Sequence, residues 1–140
     1  MATTKPIAQD LDTARQDVIF ESLAANVTIP MGTLAVNDGG VAKVATDTLI
    51  RAGAKLLGVA AATYENPTAS TLTKRMLFYR NTAVTLLGKS ADAPTAANVG
   101  GSVYISDNNT VKVTDAGSDQ PVVLVKIVGT NFRVRQIGRA

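Results

Sequence analysis

Gly32-Thr33-Leu34-Ala35-Val36-Asn37-Asp38-Gly39-Gly40-Val41-Ala42-Lys43-Val44-Ala45 is echoed without a gap by Gly101-Ser102-Val103-Tyr104-Ile105-Ser106-Asp107-Asn108-Asn109-Thr110-Val111-Lys112-Val113-Thr114. Each copy reads as a glycine, a short apolar strand, an Asx/Gly turn and a second short strand. Identities fall at Gly32/Gly101, Asp38/Asp107, Lys43/Lys112 and Val44/Val113, with Leu34/Val103 and Val36/Ile105 as near matches. Asn37, Asp38, Gly39 and Gly40 are residues that tolerate positive φ, the requirement of a tight hairpin turn; Asp107, Asn108 and Asn109 make the second tip. Two copies fall short of the roughly three that a solenoid or propeller needs. They suit a small barrel or sandwich assembled from two similar β-halves.

The flanking sequence continues the β texture. Asn26–Ile29 leads through Pro30 into the first copy. Lys55-Leu56-Leu57-Gly58-Val59-Ala60-Ala61-Ala62 is read as a buried strand, although its alanines would also suit a helix. Thr46–Ala54 is polar and irregular, and Tyr64–Thr71 reads as an exposed loop. Arg75–Arg80 and Thr82–Leu87 are strands about Asn81, and Ser90–Asn98 is a loop whose first turns have room for one short helical turn. Pro121–Val128, Gly129-Thr130-Asn131 and Phe132–Ile137 close the chain as strand, turn and strand. About eight short strands at near-regular spacing predict an all-β barrel or sandwich. Residues 24–140 are expected to form one barrel domain, and residues 1–23 an extended N-terminal arm.

At 140 residues the chain can bury a core without a disulfide or a metal. That core is thin in aromatics: 4% of residues, with no Trp, against 46% hydrophobic residues overall. Small side chains bury less area each, so such a domain leans on neighbours for stability. His and Cys are both absent. This excludes Ser-His-Asp and Cys-His triads, Cys/His zinc sites, haem or iron–sulfur ligation and disulfides. No run approaches the roughly 18 apolar residues of a membrane span. The first ten residues have no apolar signal-peptide core, so no membrane partner and no export are expected. Net charge is +3, and Phe132-Arg133-Val134-Arg135 reads as a strand with one charged face in water. Without interleaved aromatics no nucleic-acid partner is expected.

Candidate chemistry is sparse. Asp107-Asn108-Asn109 with Asp115 offers oxygen ligands but lacks the spaced carboxylates and bidentate Glu of a calcium loop, and an Asx-rich turn forms without metal. Gly39-Gly40 and Gly100-Gly101-Ser102 do not open helices, so they supply no phosphate cradle. Gly88-Lys89-Ser90 has the residue types of a Ser–Lys hydrolase, yet adjacent strand side chains point to opposite faces. No enzyme, cofactor or metal is predicted.

Pro30–Val44 resembles the opening hairpin of bacteriophage capsid decoration (cement) proteins. Leu56-Leu57-Gly58-Val59-Ala60 is similar to their glycine-valine-alanine strand, Ala97–Val113 to their second hairpin unit, and Phe132–Ile137 to their final strand. Pro121–Ile127 departs from the pattern, standing where a second such strand belongs. The resemblance covers about residues 24–138. It implies a non-enzymatic virion protein, made in the host cytoplasm and usually trimeric, that sits on the capsid exterior and bridges major capsid protein subunits. Ile7, Leu11, Val18, Ile19 and Phe20 are the expected capsid-binding residues, apolar groups of the arm with no obvious place in the barrel pattern; the rival reading makes Val18–Phe20 the first barrel strand and confines the arm to Met1–Asp17. The alternative is a β-barrel adhesin or carbohydrate- or host-surface-binding module, for which Tyr64, Phe78, Tyr79 and Tyr104 are the available stacking residues.

Overall fold

Two five-stranded closed barrels with the same internal strand order make up most of the chain. The computed structural model describes residues 3–4, 6–7, 16–80, 83–115 and 121–136. The first half runs β1 (Gln16–Leu23), β2 (Val27–Ile29), β3 (Leu34–Asp38), β4 (Val41–Val44), α1 (Asp47–Arg51), β5 (Lys55–Ala60), β6 (Tyr64–Asn66) and β7 (Leu72–Arg80). The second half runs β8 (Ala83–Gly88), a 3-10 turn at Ala96–Asn98, β9 (Ser102–Ile105), β10 (Thr110–Lys112), β11 (Pro121–Val128) and β12 (Asn131–Gln136).

Around the first barrel the order is β1-β4-β3-β5-β7, and around the second it is β8-β10-β9-β11-β12. In each, the first strand pairs in parallel with the return strand of the hairpin, Leu23 beside Ala42 and Gly88 beside Val111, and every other pairing is antiparallel. Even the bond past each parallel pair is repeated: Ala24 N–H donates to Ala42 O at 3.2 Å, and Lys89 N–H to Val111 O at 2.9 Å. The all-β expectation holds. The halves, however, close separately, so the described residues carry twelve strands in two barrels and a β2-β6 pair rather than about eight in one.

The gapless echo is correct for the return strand and off by one for the outgoing strand. Asn37 pairs with Ala42, while Ile105, not Ser106, pairs with Val111. The second turn therefore holds one residue more, and Gly32 corresponds in space to Gly100 rather than Gly101. Because strand side chains alternate, that single residue decides which face is buried. Ala35 faces the first barrel's interior and Val103 the second's, whereas Leu34 and Val36 point outward from the first.

The first interior is filled by Leu23, Ala35, Ala42, Leu57, Ala60, Met76 and Phe78, with Val18 and Phe20 packed against it. Tyr64 meets Phe78 edge-on, ring centroids 5.8 Å apart. The second interior is built from Val84, Leu86, Val103, Ile105, Val111, Val122, Leu124, Phe132 and Val134, and the same cluster takes in Leu34, Val36, Leu56, Val59 and Ile50 of the first half. The two barrels thus share a core across their seam. A bulge in β5 serves this: Val36 pairs with Leu56, Ala35 with Gly58 and Leu34 with Val59, so Leu56 and Val59, three positions apart, both join the shared core.

Three expectations are corrected. The arm does not extend to residue 23, because β1 closes the first barrel against β7, Val18 opposite Phe78 and Phe20 opposite Met76. Exposed Asp17, Ile19 and Glu21 alternate with the half-buried Val18 and Phe20, a two-residue period masked in the sequence by the apolar Ile19. Tyr64–Thr71 is not wholly an exposed loop, since β6 pairs with β2 and buries Tyr64 and Asn66. The polar stretch after β4 contains α1, whose N-cap Thr46 accepts from Leu49 N–H at 3.2 Å and which seats Ile50 in the shared core.

Candidate functional site

The two hairpin tips share a sequence pattern but not an environment. The first is a two-residue turn with Gly39 at φ 62° and Gly40 at φ 104°, as a type I′ hairpin requires; Asn37 Oδ1 accepts from Gly40 N–H at 2.8 Å, and Asp38 pairs with Lys43 at 2.8 Å. It stands in solvent. The second is buried: Asp107, Asn108 and Asn109 all lie in the interior, and Asn108 is 0% exposed. Leu34 N–H donates to Asn108 O at 3.0 Å, which ties this turn to the first barrel. Asp107 Oδ1 accepts from Asn109 N–H at 2.9 Å. Of the oxygens considered for a cation, Asp107 Oδ1 and Asn108 Oδ1 are engaged within the fold while Asn109 Oδ1 is buried without a hydrogen-bond partner among the described residues, and the described residues hold no cluster of three or more potential acidic or His/Cys ligands.

What the buried turn holds is the N-terminal segment. Thr3 N–H donates to Asn108 Oδ1, and Asn108 Nδ2 donates to Thr3 O, both at 3.0 Å. Further along, Ile7 N–H donates to Met31 O at 2.7 Å. The Ile7 carbonyl occupies the space a Cβ on Gly32 would need, so only glycine admits the segment there. All these contacts are to main-chain atoms of the segment. Such recognition adds a strand-like stretch without demanding particular side chains.

Beside this seam lies a cleft of about 500 Å³, lined among others by Asp47, Lys89, Ser90, Ser106, Asp107 and Thr110. Lys89 and Ser90 do share it, and the carboxylate of Asp47 there is engaged structurally. Asp47 Oδ1 lies 3.3 Å from Arg51 Nε and 3.4 Å from Lys112 Nζ, and Lys112 is 1% exposed. The pair spans the seam, joining α1 of the first half to β10 of the second.

Of the expected capsid-binding residues, Ile7 is half-buried on its own barrel, Val18 and Phe20 pack into the first interior, and Ile19 faces outward, 48% exposed. Leu11 lies outside the described residues. Other large exposed apolar side chains, which sequence periodicity did not single out, are Met31, Leu87, Val99, Val125 and Val128. Among the stacking candidates, Tyr64 and Phe78 are buried, while Tyr79 and Tyr104 are half-buried. No helix of the described residues is long and apolar enough to cross a membrane.

The fold and site define an all-β, double-barrel protein with a docked N-terminal segment. The chain matches no protein-family model, no curated protein and no solved structure.

Proposed function

We propose that this chain is a structural virion protein that binds the outside of a phage capsid and bridges neighbouring major capsid protein subunits, acting as a homotrimer. The observation that carries this reading is the pairing of a rigid, twice-closed β-body with large apolar side chains left on its outer faces, Ile19, Leu87 and Val128 among them. A protein whose task is adhesion needs stiffness and contact surface rather than assembled reactive groups. Closed barrels have no free strand edges to mispair, so their binding surface is set by side chains and by the N-terminal segment. Three copies on one lattice site would raise avidity beyond that of a single contact.

The test is to add purified protein to capsids that lack it, and to measure occupancy by cryo-EM and capsid melting by calorimetry. Saturable decoration with a raised capsid melting temperature is expected, and its absence on every capsid from a host that encodes the chain refutes the reading. A truncation removing residues 1–15 spares β1 and isolates the segment's part. Lower occupancy is expected, and full occupancy removes the segment from the grip.

A further inference from the structure

The duplication places Met31–Gly32 and Val99–Gly100 at the same point on their respective barrels. Gly32 N–H donates to Ala60 O at 2.9 Å and Ala60 N–H to Thr33 O at 2.9 Å; Gly100 N–H donates to Leu124 O at 2.8 Å and Leu124 N–H to Gly101 O at 3.0 Å. The two glycines share a backbone conformation, φ 81° and φ 87°. They differ in what lies outside them. Gly32 is covered by the Ile7 carbonyl, whereas nothing lies within 4 Å of the position a Cβ on Gly100 would take. Around Gly100 the surface is apolar, with Val99 45% and Val125 48% exposed. Next along β11 is Lys126, exposed and directly across from Arg133.

We propose that Val99–Gly100, with Val125, is a second chain-docking site, the open counterpart of the one that Ile7 fills, and that it takes an extended acidic and apolar segment of a partner protein. The segment's N–H would donate to the Val99 carbonyl as Ile7 does to Met31, and its backbone would pass over the bare Cα of Gly100. An apolar side chain covers Val99 and Val125, and a carboxylate faces the exposed Lys126. A partner fits better than this chain's own N-terminus. Each copy has one such segment, already seated at Gly32, and its Lys5 has the same sign as Lys126. The assignment stands on the duplication and not on the capsid reading, so the two can fail separately.

The experiment is a titration of 15N-labelled full-length protein with two synthetic nonapeptides, one copying residues 1–9 and one carrying Lys5→Glu. Saturable amide shifts centred on Val99, Gly100, Gly101 and Val125 are expected with the Lys5→Glu peptide. Val99→Asp and Val125→Asp, at exposed sites that leave the remaining spectrum unchanged, should each weaken binding by about tenfold or more through desolvation of the new carboxylate and its repulsion of the ligand. Shifts centred elsewhere, no shifts, or indifference to both substitutions overturn the proposal. Tighter binding of the unaltered peptide also overturns it, because the site would then belong to the segment of a second copy.

Discussion

Asn108 and Thr3, 105 positions apart, hold each other through a two-bond amide clasp, the side chain of one against the main chain of the other. An asparagine amide presents the same donor and acceptor as a peptide unit. The buried turn thus acts as a strand edge one residue long. Asn108→Ala should remove both bonds while keeping the carbonyl that receives Leu34 N–H. We expect faster hydrogen exchange at the Thr3 amide and a loss of about 1–2 kcal/mol in urea unfolding, the net worth of two ordinary hydrogen bonds. An unchanged exchange rate at Thr3 would show that the clasp does not form.

Glycines at positive φ should divide by what surrounds them. At Gly58, φ 132°, a Cβ would strike the Tyr79 carbonyl where β5 and β7 meet. At Gly39, φ 62°, it would meet nothing within 4 Å. Gly58→Ala should therefore cost several kcal/mol, about 3 or more, from strain and steric displacement together. Gly39→Ala should cost only about 1 kcal/mol, from backbone conformation alone. Chemical denaturation of the two variants checks the order.

The two lysines matched by the sequence echo should respond differently to loss of their partners. Lys43 and Asp38 are each 36% exposed in their side chains, whereas the Lys112 side chain is 2% exposed and reaches Asp47 across the seam. Asp38→Ala should change stability by about 0–1 kcal/mol, less at high salt. Asp47→Ala should cost about 2–4 kcal/mol with little salt dependence, because it strips an acceptor from a buried ammonium. Lys112→Met, which removes that charge as well, should recover most of the loss in the Asp47→Ala background.

Tyr64 joins two elements through its hydroxyl, which accepts from Leu77 N–H at 2.8 Å and donates to Leu77 O at 3.2 Å. Tyr64→Phe keeps the ring against Phe78 but leaves the Leu77 N–H unpaired. A loss of about 1–3 kcal/mol is expected, the cost of an unsatisfied buried donor, measured as a lower urea midpoint with an unchanged slope.

Local chemistry made the β architecture legible. The Asn37–Gly40 turn and the strand through Gly58 follow from residue types at fixed spacing, whereas the helical turn expected at the start of the Ser90–Asn98 loop stands at its end, Ala96–Asn98. The second hairpin shows where that legibility ends. Asp107, Asn108 and Asn109 have the composition of an exposed tip, and only the packing of one barrel on the other buries them. Likewise Val18-Ile19-Phe20 carries no sign of which residue faces in, because Ile19 is apolar on the outside. Two barrels rather than one, and a one-residue offset in the echo, are settled by tertiary pairing that no local window contains. The N-terminal clasp lies beyond sequence inspection for the same reason.

The seam also gives the chain a history during synthesis. The first barrel has all five of its strands once Arg80 is made, yet Leu34, Val36, Leu56 and Val59 on its outside share their core with residues between Val84 and Val134. At roughly 5–20 residues per second, the remainder takes several seconds to emerge from the ribosome. Throughout that interval a finished first half carries an oily flank awaiting a sibling not yet translated. A message truncated after the first barrel should thus yield an adhesive, aggregation-prone fragment rather than a smaller soluble protein, and the nascent chain offers chaperones a target at a defined length.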